Sequence, residues 1–130
     1  MGRARDETGS SSLQTVLVVP VLLLLITAIV QVGLWYHAAH VALAAAQDGA
    51  RAARVDGGSN ADGTTRANQL LDQLGHGVLV EPNVSVSRTA GDVRVEVHGY
   101  APRLVPMLRL RVSAVTVSPI ERFHSPTEAP

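Results

Sequence analysis

From Thr8 to Gln47 the chain carries no Asp, Glu, Lys or Arg, and the stretch Val16 to Tyr36, VLVVPVLLLLITAIVQVGLWY, is almost wholly apolar. A hydrocarbon core about 30 Å thick is crossed by about 20 apolar residues in a helix, so the run predicts one membrane span. Past Tyr36 the pattern changes without stopping. Ala38 to Val55 is dominated by alanine, the strongest helix former, with no proline and only Gly49 to weaken it. On a helical wheel His37, His40, Gln47, Asp48, Arg51 and Arg54 share one side, while Ala39, Ala42, Ala46, Gly49 and Ala53 share the other. Toward the amino terminus the small face continues through Tyr36 or Trp35, then Val32 and Ala28. One helix from Ser11 to Arg54 is expected, roughly 65 Å long, its lower half in lipid and its upper half amphipathic in water. Pro20 removes one backbone hydrogen bond and predicts a kink or a loosened turn. A face of small residues admits another backbone at close range, either a neighbouring helix or the protein's own domain, and both readings stand.

The segment DGGSNADG after Val55 is glycine-rich and aperiodic, a loop. Asn60 or Asp62 can cap a short helix ending at Leu74, with Ala67, Leu70, Leu71 and Leu74 on one apolar face. Gly75-His76-Gly77 ends it. Beyond this the period falls to two. VSVS (Val84 to Ser87) and VRVEVH (Val93 to His98) alternate valine with polar residues around the turn Thr89-Ala90-Gly91-Asp92, which predicts a hairpin. LRLRVSAVTV, Leu108 to Val117, predicts a third strand whose apolar phase slips between Ala114 and Val115, a bulge or a strand end. The fold class is therefore α+β: a long membrane-spanning helix extended into solvent, a short second helix and about three antiparallel strands. Either the leucine-faced helix or the alanine-lined stalk can cover the apolar face of the sheet. The expected organisation is residues 1–9 as a cytoplasmic leader, 10–36 as the transmembrane helix, 37–55 as its amphipathic extension, 56–123 as a small extracytoplasmic domain and 124–130 as a disordered tail.

Charge sets the orientation and removes some partners. Arg3 and Arg5 precede the span, whereas the first basic residues after it are Arg51 and Arg54, so the amino terminus is expected inside and the carboxy-terminal domain outside a cytoplasmic membrane. Trp35 and Tyr36 suit the outer interfacial belt. Ala42-Leu43-Ala44 resembles a signal-peptidase site but lies too far beyond the apolar core. Eleven basic against eleven acidic residues balance to zero, which argues against a general affinity for nucleic acid or acidic lipid. The chain has no cysteine, so no disulfide framework or thiolate site is available.

Catalytic patterns are lacking. His37 and His40 lie three apart on a helix but have no third ligand nearby, and the other histidines are scattered. There is no G-x-S-x-G, and Gly57-Gly58 is a turn, not a phosphate cradle. The expectation is a protein with no enzymatic activity, cofactor, metal or small-molecule substrate.

The front of the chain carries the most specific constellation: a short basic head, Gly9, then SSSLQTVLVVP up to Pro20, and after the span AAAQDGARAAR, Ala44 to Arg54. With the closing AVTVSPIERF, Ala114 to Phe123, these segments resemble, in order, the TadE-like pseudopilins of tight-adherence (Flp/Tad) pilus systems, which are bacterial and type IV pilin-like. The resemblance implies that a prepilin peptidase cuts after Gly9 and leaves Ser10 as the new terminus. Its mature fifth position is Gln14, where the family usually has a glutamate thought to pair with a neighbouring subunit's free amino terminus. Gln accepts a hydrogen bond but brings no charge for a buried ion pair. The partners implied are membrane lipid, other pilin-like subunits or Tad assembly platform proteins, and the peptidase. Gln14, Pro20, Ala39, Ala42, Ala46, Gly49 and Ala53 are the candidate assembly and packing positions. Two functions follow: a pseudopilin-like subunit assisting assembly of a Tad-type pilus or secretion apparatus in adhesion, or a binding module held outside by an uncleaved signal anchor.

Overall fold

The computed structural model describes residues 2–55 and 57–120, with side chains from Ser11 onward. Its elements are α1 (Gly2–Arg54), α2 (Asn60–Leu74), β1 (Val80–Arg88), β2 (Asp92–Tyr100) and β3 (Arg111–Pro119). This is the α+β arrangement expected from the pattern. The expected tail and the Glu121-Arg122-Phe123 end lie outside the described residues.

With 53 residues, α1 is about 80 Å long, and it starts at Gly2 rather than Ser11, so the charged head continues the same helix. It runs through Pro20 as one helix. The residue that caps α2 is Ser59, not Asn60 or Asp62. Its extended backbone, φ −131°, leaves its hydroxyl free to accept from the Asp62 N–H at 3.1 Å, while the Asp62 carboxylate accepts from the Ser59 N–H at 2.9 Å. The two together form a capping box, so Asp62 acts from inside the first turn. On the inner face of α2 the buried positions are Gly63, Ala67 and Leu71. Leu74, expected to share that face, is exposed because the helix ends there at the Gly75 cap.

The strands form an antiparallel meander in the order β1-β2-β3. Val93, Val95 and Val97 of central β2 are completely buried, and Val112 and Ala114 of β3 join them. The slip expected between Ala114 and Val115 is absent. Pairing continues unbroken from Tyr100 opposite Arg111 to Asp92 opposite Pro119. Thr116 takes the next inward place, and Val115 and Val117 simply face outward. The irregularity of the sheet lies instead between Val80 and Asn83 on β1, where Pro82 cannot donate to the ladder and Glu81 has φ 52°.

The alanine-rich half of α1 covers the inner face. Ala38, Val41, Ala42, Ala45, Ala46, Ala50 and Ala53 form one core with the β2 and β3 valines, Leu71, Leu79 and Ala101. Strand β3 runs upward along α1. Trp35 Nε1 donates to the Arg111 carbonyl at 3.2 Å at one end, and Thr116 and Ser118 line a hollow with Gln47, Arg51 and Arg54 at the other. The two paths match in length, about 23 Å of strand against about 24 Å of helix. The start of β3 and the end of β2 therefore lie at the lower end of the domain, and so does the loop joining them.

Candidate functional site

The face of small residues is occupied by the chain's own domain. Ala42, Ala46, Gly49 and Ala53 are buried, and Ala39 is half-buried at the rim of the core. At Gly49 two backbones meet. A Cβ there would stand 2.9 Å from the Gly63 carbonyl oxygen and 3.1 Å from the Ala67 Cβ. One on Gly63 would stand 2.9 Å from the Ala53 Cβ. Glycine on both helices is thus what lets α1 and α2 cross this closely. Next to the crossing, Arg66 Nε reaches Asp48 Oδ2 at 2.7 Å, an ion pair on the half-exposed side of the same contact. AAAQDGARAAR therefore reads as a docking strip. Its alanines lie under the sheet, Gly49 admits α2, and Asp48 ties α2 in place, leaving Arg51 exposed.

Below the alanines the covered face continues through half-buried Leu34 and buried Gln31, not through Trp35 or Val32, which are exposed. Gln31 is 3 % exposed, the one buried polar side chain among the described residues. Its Nε2 donates to the Pro102 carbonyl at 2.9 Å, and its Oε1 accepts from the Leu104 N–H at 2.8 Å. A side-chain amide offers both a donor and an acceptor, so one residue satisfies two backbone groups of the β2–β3 loop at once. Gln31 lies inside the apolar run and was not among the sequence candidates. The signal was its polarity, one amide in a span otherwise apolar from Val16 to Val30 save Thr27.

The helix below Gln31 is bare. From Ser11 to Val30 every described side chain is exposed except Thr27, which is half-buried. Eighteen residues of this helix have a mean hydropathy of 2.7 with 6 % of them buried, long and apolar enough to cross a membrane. Thr15 and Thr27 donate their hydroxyls back to the carbonyls of Ser11 and Leu23, so neither side chain brings an unpaired donor into lipid. Gln14 and Pro20 are both on this bare stretch and exposed. Gly9 and Ser10 have helical backbone, and their side-chain surroundings lie outside the described residues.

The outward sheet face is polar at its centre. Arg94 Nε and Nη2 approach Glu96 Oε1 at 2.8 and 2.7 Å, and His98 Nε2 lies 3.4 Å from Glu96 Oε2. The hydrogen bond from Arg94, then that from His98, holds the Glu96 carboxyl below its ordinary value of 4.5. His37 and His40 are exposed, His40 lying edge-on to Tyr36 with ring centroids 4.4 Å apart. Among the described residues no three His, Cys, Asp or Glu side chains gather.

No curated protein and no solved structure matches the chain. The family described as TadE-like protein matches residues 9–51, from the foot of the apolar helix to the end of the Asp48-Gly49-Ala50-Arg51 strip, so about a third of the chain is similar to that family.

Proposed function

We propose that the protein is a non-enzymatic, single-pass, pseudopilin-like subunit that assists assembly of a Tad-type pilus or secretion apparatus. In this reading it sits in the cytoplasmic membrane with its amino terminus inside and its domain outside. Its partners are lipid, other pilin-like subunits or Tad platform proteins, and the prepilin peptidase.

The observation that carries this is the division of α1. Its small upper face is used up by its own domain, while its lower half stays bare over a length that suits lipid and neighbouring helices. The TadE-like segment and the membrane-length helix together fit a membrane protein associated with a Tad pilus. Contacts between subunits then fall to the bare helix around Gln14 and Pro20 and to the outward sheet face, not to Ala46 or Gly49.

The test is the mature amino terminus, read by intact mass with and without prepilin peptidase. A chain that begins at Ser10 only when the peptidase is present supports the proposal. A full-length chain in both cases overturns it and favours the second reading, an uncleaved anchor for an outer binding module. Gln14 favours that second reading, because the amide lacks the charge with which a pilin glutamate meets a neighbour's free terminus.

A further inference from the structure

We infer that the β2–β3 loop, residues 101–110, is a bilayer seat: a second, non-helical membrane contact by which the domain rests on the acyl–headgroup boundary of the membrane its own helix crosses. The inference depends on α1 crossing a bilayer and on nothing about pilus assembly.

Length makes the first argument. Counting about 20 residues of span upward from Leu13 puts the far edge of the hydrocarbon near Val32. Gln31 lies just below that edge, and its two hydrogen bonds hold the backbone of Pro102 and Leu104 at the same height. The loop is thus fastened at the boundary by the helix itself. The domain cannot stand clear of the membrane while these bonds hold.

The second argument is what the loop presents. APRLVPMLRL exposes Leu104, Val105, Met107 and Leu108 together, with Met107 96 % exposed. Such a cluster on a small domain marks a contact surface. Its position at the lower end of the domain, continuous with the bare apolar helix, identifies lipid as the occupant. Met107 also has φ 74°, a left-handed backbone that a residue with a Cβ seldom adopts, and it lies at the most exposed point of the loop.

Charge makes the third. Along the chain Arg103, Arg109 and Arg111 flank the apolar cluster, against Glu81 alone, which pairs with Arg109 at 3.1 Å. Arg103 and Arg109 line a hollow of about 230 Å³ with Tyr100 and Leu108. Long cationic side chains around an apolar tip suit a position where carbon enters the acyl region and guanidinium meets phosphate. The overall charge of zero hides this local excess.

Because the chain has no cysteine, a single label reports one position. The full-length protein is reconstituted in vesicles of phosphatidylcholine and phosphatidylglycerol as Met107→Cys, Leu24→Cys and Ser87→Cys, each carrying a nitroxide. Spin relaxation by oxygen and by a water-soluble nickel complex then gives depth. All three side chains are exposed, so packing is left intact. The seat predicts that the label at 107 favours oxygen over nickel several-fold more than the one at 87, and less than the one at 24. A label at 107 as open to nickel as that at 87, with 24 still in lipid, overturns the seat and leaves the anchor standing. Shielding of 107 from both reagents overturns it in favour of a protein partner. A label at 24 open to nickel removes the anchor and the seat with it.

Discussion

A Cβ placed on Gly49 would stand 2.9 Å from the Gly63 carbonyl oxygen and 3.1 Å from the Ala67 Cβ, and no side-chain movement relieves the backbone contact. Gly49→Leu is therefore expected to push α2 off α1 and destabilise the domain by about 1–3 kcal/mol or more, since overpacking at a backbone contact has no flexible neighbour to yield. Thermal unfolding in detergent checks this, and an unchanged midpoint would sink the close-crossing argument. Gln31→Leu is the complementary case. It keeps the volume but leaves the Pro102 carbonyl and the Leu104 N–H without their partner, an expected loss of about 1–3 kcal/mol. The measurable signature is faster amide exchange at Leu104 with little change in α2. Gly49 could be read in advance, because a wheel shows which face is small. What lies against that face could not, because a neighbouring helix and the chain's own domain ask for the same residues. Gln31 was missed for a different reason: its partners are backbone groups more than 70 positions away, and no local period points to them.

Element types followed from periodicity, whereas element edges depended on chemistry that a period does not carry. The second helix was legible from Ala67, Leu70 and Leu71, yet its start was set by the Ser59 hydroxyl meeting Asp62. Ser59→Ala is expected to cost about 1 kcal/mol and to fray the first turn of α2, visible as lost amide protection near Asp62 and Gly63. The apparent phase slip in β3 shows the opposite failure. Val115 and Val117 look like inward positions only if every valine is assumed to face the core, but the unbroken register puts them outside, across from Glu96 and Arg94. That outer face carries a pH dependence. Glu96 is held below its ordinary value chiefly by Arg94, so its charged form is favoured in the folded state. Its contribution is complete above about pH 4.5, the ordinary value, and fades as the pH falls through the lower, folded one. Glu96→Gln is expected to flatten the acid side of the stability curve while leaving the neutral side nearly unchanged. An identical acid profile in the two proteins would count against the Arg94–Glu96–His98 cluster.

At the scale of the whole molecule, the membrane helix and the domain overlap along the chain. A reading by hydropathy places the end of the span at Tyr36 and begins a water-exposed extension at His37. Packing begins lower, since Gln31 and Trp35 already bond to the loop and to the start of β3. Every residue of the buried core lies between Ala38 and Ala114, but three of the bonds that hold its lower edge come from below it. Two fragments separate these descriptions. One begins at Ile29 and keeps Gln31 and Trp35; the other begins at His37 and keeps only the alanine face. Both retain the Gly49–Gly63 crossing and the three valines of β2, so both should show the same helix and strand content by circular dichroism. The longer one is expected to be more stable, by at least the 1–3 kcal/mol assigned to the Gln31 pair. In the shorter one, limited proteolysis should cut first between Pro102 and Leu110, the stretch those bonds fasten. Equal denaturant midpoints and an equally protected loop in the two fragments would mean that the lower contacts are incidental. A shorter fragment that loses its loop protection while keeping its strands would instead show the domain to be fastened at two heights. The alanine strip would then supply the bulk of the packing, and the single buried amide would fix where the domain sits against the membrane.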